Sequence, residues 1–248
     1  MGILNVTPDS FADGGKHLDP DVAILRGKEM IKEGVDIVDI GGESTRPGAE
    51  RISAEEEQAR VLPVIKGLIG EGTILSIDTM RASTAKLAVS SGATIVNDVS
   101  GGAADPEMFT TIAELDCKYV IMHWRGHSKA MNSKAIYNDV VNDVIAEINI
   151  QLKKALAAGI KSENIILDPG IGFAKDSEHN WEILKHLDQF TALGYPVLIG
   201  HSRKRFLGGD NPDLREDATV EVTKSLLDKG IWGVRVHGVK QNVEAIRS

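Results

Sequence analysis

A single cysteine, Cys117, stands in 248 residues. No internal disulfide can form, and the chain fits a reducing, cytoplasmic setting. No run of about 18 apolar residues offers a membrane span. The N-terminus lacks a basic region followed by an apolar stretch and a cleavage site, so the chain reads as soluble and unprocessed as given. The seven histidines show neither His-x-His nor His-Glu-x-x-His spacing, which argues against a zinc amidohydrolase. No Gly-x-Ser-x-Gly elbow and no Walker loop occur. The carboxylate pair that a retaining glycosidase needs is missing from the ends of strands 4 and 7. Basic excess is lacking too. The 28 Lys and Arg against 36 Asp and Glu leave a formal charge of −8, which argues against nucleic acid or an anionic membrane as partner. A small anionic substrate stays open, because a local cation cluster outweighs distant charge across a Debye length of about 8 Å.

What the chain does have is alternation. Short apolar runs at 2–6, 35–40, 73–78, 94–99, 118–122, 164–168, 196–200 and 232–236 each precede a segment of helical pattern. The clearest helix is expected over 139–157, where Val141, Val144, Ile145, Ile148, Leu152, Ala155 and Leu156 share one face. Runs such as Val120-Ile121-Met122 and Ile165-Ile166-Leu167 are apolar at consecutive positions, the mark of strands covered on both sides. Eight strand–helix pairs, with 25 glycines for tight turns, are the count of an α/β fold of the (β/α)8 TIM barrel type. A doubly wound open sheet is the competing architecture. No linker or low-complexity tract divides the chain, so 1–248 reads as a single domain.

Barrel chemistry sits at the carboxyl ends of the strands. Read in order, those ends carry Asn5, Asp39, Asp78, Asn97, Met122 with His123, Asp168, then Lys204 after strand 7 and Arg235 with His237 after strand 8. The early and middle strands bring carboxylates and amides, which suit a flat heterocycle rich in N–H donors. The last two bring cations, at the position where barrels commonly hold a phosphate. Taken singly, each carboxylate reads equally well as a helix cap or an ion-pair partner, and Arg203-Lys204-Arg205 as a solvated charge run. Their convergence on one mouth favours a ligand. Residues 5–15 and 42–51 are rich in Gly, Ser, Thr, Pro, Asp and Arg. They read as loops that close over the mouth, with plain surface turns as the alternative.

As a set, several motifs resemble the dihydropteroate synthase family over essentially the whole chain. They are Asn5-Val6-Thr7-Pro8-Asp9-Ser10-Phe11-Ala12-Asp13-Gly14-Gly15, Asp39-Ile40-Gly41-Gly42-Glu43-Ser44-Thr45-Arg46-Pro47-Gly48 and Ser76-Ile77-Asp78-Thr79. Asn97-Asp98-Val99-Ser100-Gly101, Asp168-Pro169-Gly170-Ile171-Gly172-Phe173, Ser202-Arg203-Lys204 and Arg235-Val236-His237 complete the set. The first two are the most specific. The resemblance implies that para-aminobenzoate displaces pyrophosphate from 6-hydroxymethyl-7,8-dihydropterin pyrophosphate, giving 7,8-dihydropteroate. It also implies Mg2+ as cofactor, a cytoplasmic homodimer joined through outer helices, and inhibition by sulfonamides.

By the same resemblance, Asn5 would help hold Mg2+ on the pyrophosphate. Asp78, Asn97, Asp168 and Lys204 would grip the pterin, with Asp39, Met122 and Phe173 completing its walls. Thr45, Arg235 and His237 would hold the pyrophosphate. Asp13 and Arg46 would arrive on the two loops, and Phe11, Pro47 and Lys204 would border the aminobenzoate. Asp13, Arg46, Lys204 and Arg235 would carry catalysis. Gly238 stands where the family usually has Asp, and the chain begins almost on its first strand, where the family usually has preceding residues. Two alternatives are a pterin-binding methyltransferase acting on methyltetrahydrofolate with a corrinoid partner, and a non-catalytic pterin-binding paralogue. The first has no need of the Thr45-Arg46-Pro47 loop or the anion site. Loss of Asp13, Arg46 or Lys204 would favour the second, and all three are present.

Overall fold

The computed structural model describes residues 1–7, 19–44, 51–126, 134–209 and 211–247. Within them strands and helices alternate. The strands are β1 (Gly2–Asn5), β2 (Ile37–Gly41), β3 (Ile74–Asp78), β4 (Ile95–Asp98), β5 (Lys118–Met122), β6 (Ile165–Asp168), β7 (Leu198–Ile199) and β8 (Gly233–Val234). The helices are α1 (Pro20–Lys32), α2 (Ala54–Leu68), α3 (Ala82–Ser90), α4 (Met108–Glu114), α5 (Val140–Ala157), α6 (Ser177–Lys185), α7 (Leu187–Thr191), α8 (Glu216–Ser225) and α9 (Val239–Arg247).

Strands β1 to β6 pair in sequence order, all parallel, and β7 pairs with β8. Two single parallel bridges join these pieces, Leu167 to Val197 and Gly2 to Val236. Backbone bonds from Ile3 to Val236 and from Val236 to Met1, both 2.9 Å, reinforce the second seam. The sheet therefore closes on itself as a (β/α)8 barrel, and the open doubly wound alternative is set aside. Strands 7 and 8 are shorter than the expected 196–200 and 232–236, because their flanking residues meet neighbours through these isolated bridges and not through continuous ladders.

Helix α5 follows its pattern closely. The Asp139 side chain caps it by accepting from the backbone N–H groups of Val141 and Asn142, which satisfies donors that the first turn leaves orphaned. Val141, Val144, Ile148, Leu152 and Ala155 are buried, whereas Leu156 is exposed. Among the described residues no helix is long and apolar enough to cross a membrane.

Two separate cores result. The larger one lies between the strands and the helices and holds Leu4, Val38, Ile40, Ile77, Val96, Tyr119, Ile121 and Leu167, with helix residues such as Val61 and Ile148. The smaller fills the lumen with Ile37, Ile95, Val120, Ile166 and Leu198, and Met1 rests against it. Because side chains alternate along a strand, the residue two positions beyond each of these points to the same side. Those residues are Asp39, Asn97, Met122, Asp168 and Gly200. An apolar floor thus lies beneath a polar ring at the carboxyl end.

The same alternation turns Asp98 and Tyr119 outward, beneath the helices. Tyr119 donates to Asp98 Oδ2 at 2.7 Å, and the carboxylate also accepts from Ser100 Oγ and from the backbone N–H groups of Ser100 and Gly102. Burial raises the pKa of Asp98, and these donors oppose that rise. Its role in the Asn97-Asp98 motif is to anchor the turn. Tyr119→Phe is expected to lower stability by about 1–2 kcal/mol in urea unfolding, with ligand affinity unchanged.

Candidate active site

The described members of the predicted site converge on the carboxyl end of the lumen. Arg235, entering from the end of β8, places Nε 2.6 Å from Asp39 Oδ2 and an Nη 2.6 Å from Asp78 Oδ2. Asn97 donates to the same Asp39 oxygen at 2.9 Å. One cation therefore ties together carboxylates from β2 and β3. A guanidinium has five donor hydrogens, so donating capacity remains for an anion. Asp39 is fully buried, and its Oδ1 has no hydrogen-bond partner among the described residues. Neither has Ser76 Oγ, whose residue is the register partner of Asp39 on β3. Buried polar atoms without partners are costly, and at a cavity they are the atoms a ligand satisfies.

Asp168, at the end of β6, accepts from the Gly170 N–H at 2.7 Å. Burial raises its pKa, and the charges of Lys204 and Arg235 oppose the rise. Lys204 donates to the Ile171 carbonyl and lies 4.5 Å from the centre of the Phe173 ring. Burial lowers Lys204 to about 8, with Asp168 pulling the other way. Asp168 feels the charges of both Lys204 and Arg235, and the three follow the carboxyl ends of β6, β7 and β8. Gly170 and Gly172 make this approach possible. Both have positive φ, at 70° and 76°, and a Cβ would lie 2.5 Å from the His123 carbonyl oxygen at the first and 2.6 Å from Lys204 Cδ at the second. Met122 stands beside Asp168 in register and is buried.

His237 is set by Ser202. The His237 backbone N–H donates to Ser202 Oγ at 3.1 Å, and that hydroxyl lies 3.0 Å from His237 Nδ1. The space that a side chain at Gly238 would take is filled by the Glu216 carboxylate, 2.2 Å from the ideal Cβ position. Glu216 in turn accepts from Arg203 Nε at 2.7 Å and Asn242 Nδ2 at 3.1 Å, so a carboxylate from α8 occupies the place next to the Arg-Val-His segment.

Phe11, Asp13, Thr45, Arg46 and Pro47 lie outside the described residues. Asn5 is at the end of β1, and its Oδ1 is 3.8 Å from where a Cβ on Gly41 would be, with Asp78 Oδ2 3.6 Å from the same point. The bare glycine leaves that space open beside two oxygen atoms. Among the described residues no group of three His, Cys, Asp or Glu could hold a metal ion. The donor set suits a hard cation that keeps most of its shell in water and phosphate oxygens, the habit of Mg2+.

The comparisons with known proteins agree with this geometry. Residues 1–237 match the family described as pterin binding enzyme. The chain belongs to that family. Its similarity to the dihydropteroate synthase of Mycobacterium leprae is 48% identity over 257 residues, covering 100% of this chain and 90% of that protein. A dihydropteroate synthase from Clostridium difficile, solved in the presence of pteroic acid, superposes with a TM-score of 0.92 at 41% identity, covering 99% of this chain and 93% of the other. The Xanthomonas albilineans dihydropteroate synthase in complex with 7,8-dihydropteroate gives 0.89 at 35% identity, covering 99% and 90%.

Sequence reasoning gave no role to Lys175, Glu147, Ser76 or Glu216. Ser76 was open to detection, since it lies two residues before Asp78 on an inward-facing strand. The others are brought in by tertiary packing that no local period encodes.

A pH dependence follows from Asp78, which burial pushes from 3.8 up to about 7, with Arg235 opposing and Asp39 adding. The folded chain holds that proton across this window while the unfolded chain has lost it. Stability is therefore full below about pH 4 for this group and falls as pH rises towards 7. Melting temperature against pH should fall less steeply across that window for Asp78→Asn than for the parent. Parallel curves would show that the carboxyl does not titrate there.

Proposed function

We infer that the chain catalyses the dihydropteroate synthase reaction, in which para-aminobenzoate displaces pyrophosphate from 6-hydroxymethyl-7,8-dihydropterin pyrophosphate. The observation that carries this reading is the gathering of Asp168, Lys204 and the Arg235–Asp39–Asp78 group at the carboxyl ends of the barrel strands. The acceptors of Asp39, Asp78, Asn97 and Asp168 suit the amino and ring N–H groups of a pterin, with Met122 and Phe173 as walls. A ligand of this kind gives Asp39 Oδ1 and Ser76 Oγ a donor or acceptor near them, directly or through water.

Chemistry follows from the sign pattern. As the C–O bond to the diphosphate breaks, positive charge spreads into the dihydropterin, and fixed carboxylates stabilise it electrostatically. Lys204, Arg235 and His237 hold the negative charge that leaves. Asn5 would hold Mg2+, which neutralises charge on the departing pyrophosphate when bound. The aryl amine is neutral at ordinary pH and attacks through its lone pair, so positioning replaces a general base. Thr45 would complete the anion site, Asp13 and Arg46 would arrive on the two loops, and Phe11 and Pro47 would border the aminobenzoate pocket. A cytoplasmic homodimer belongs to this proposal, on the single cysteine and the likeness to the family. A corrinoid-linked methyltransferase has no use for the anion site of Lys204, Arg235 and His237.

Pyrophosphate release should require both aminobenzoate and Mg2+, fall to background with chelator, and be inhibited by a sulfonamide. Lys204→Ala and Arg235→Ala should each lower turnover about 100-fold or more. Turnover close to the parent's in both would refute the anion-site assignment. Asp168→Asn should weaken pterin binding in calorimetry while the fold is retained, and an unchanged affinity would remove Asp168 from the pterin grip.

A further inference from the structure

We propose that Lys175 is a positioning residue for the pterin site, held as a buried ammonium ion behind Asp168 by a relay through His123 and Glu147. The inference rests on the reading of Asp168 as the pterin carboxylate. Lys175 is 9% exposed, and its Nζ lies 2.9 Å from His123 Nδ1, 3.1 Å from the Gly170 carbonyl oxygen and 3.1 Å from that of Phe173.

The protons in this cluster can be assigned by counting. His123 Nε2 lies 2.9 Å from Glu147 Oε2, and Glu147 also takes Arg125. The hydrogen bond from His123 comes first among the causes that lower Glu147 to about 2, with Arg125 adding, so the group is a carboxylate and can only accept. Nε2 therefore carries the ring proton. Burial, then the Lys175 charge, lowers His123 to about 4, so the ring is neutral and Nδ1 presents a lone pair. Lys175 then faces three acceptors and no donor. A neutral amine has two hydrogens and would leave one acceptor unmet; an ammonium ion satisfies all three. Burial pulls the Lys175 pKa well down, with Asp168 the first charge opposing it, Lys204 and Arg125 adding to the fall and Glu147 opposing. The hydrogen-bond count sides with the charged form.

The contacts point at the substrate pocket. Lys175 fastens the Gly170 and Phe173 carbonyls, while the Gly170 N–H holds Asp168 and the Phe173 ring lies against Lys204. Between these contacts Ala174 has φ of 48°, a region that L-residues enter at a cost of about 1–3 kcal/mol. Tyr137 donates to the Ala174 carbonyl at 2.9 Å, and the Arg125 guanidinium lies 3.8 Å from the Tyr137 ring centre. The turn is held from both sides. The lysine charge also favours the Asp168 carboxylate that accepts from a pterin.

Two measurements test this. In calorimetry with 6-hydroxymethylpterin, Lys175→Met should weaken binding about 10-fold or more, and KM for the pterin pyrophosphate should rise with it while KM for 4-aminobenzoate stays within about twofold. A folded Lys175→Met chain with the parent's pterin affinity would overturn the proposal, even if its melting temperature fell. Nitrogen-15 NMR of the histidine-labelled parent, which needs no substitution, should show His123 with Nδ1 unprotonated and Nε2 protonated from about pH 6 to 8. A protonated Nδ1, or a ring that titrates in that range, would overturn it as well. Aminobenzoate-dependent turnover by the parent tests the functional reading separately from both.

Discussion

The clamp of Arg235 on Asp39 and Asp78 is the interaction on which the site depends. Two carboxylates in a lumen floored by Ile37, Ile95, Val120, Ile166 and Leu198 have lost most of their water, and burying such groups without a partner is among the costliest things a chain can do. Arg235 lies 2.6 Å from both. The charge of the same guanidinium acts on Asp168 and on Lys204. A single residue thus reconciles a charged interior with a folded barrel, and holds its remaining donors for an anion. Function and stability meet at that contact: burial raises Asp78 to about 7 against the opposing charge of Arg235, and one Asp39 oxygen has no partner among the described residues.

Period-2 alternation carried most of the architecture into the sequence. Inward Ile37, Ile95 and Ile166 are followed two positions later by the polar Asp39, Asn97 and Asp168, and the outer side of most strands is apolar because helices cover it. The eight strand positions, α5 and the division between acceptors and cations could therefore be read directly. The closure of the barrel could not. It rests on isolated bridges at Val197 and Val236, which join segments far apart in the chain and leave no local pattern.

The site was legible to the extent that its residues sit on strand ends. Lys175 escaped because it reaches back from beyond the Asp168 turn to His123 at the end of β5, a contact fixed by packing. Glu216 escaped for a related reason: its carboxylate fills space that the bare Gly238 leaves, a fit between two elements 22 positions apart in the chain. The outward-facing Asp98 shows the converse. Its motif sits at a strand end beside Asn97, yet one step of alternation turns it away from the lumen and into a structural role.

The most direct test of the central claim is the stability of Arg235→Met measured by chemical unfolding across pH. If the guanidinium compensates buried carboxylates, its removal costs about 3–5 kcal/mol near pH 8, above the value of about 7 to which burial raises Asp78. The loss then shrinks towards about pH 5 as protonation relieves the uncompensated charge. A loss of the same size at every pH, or none at all, would contradict the account.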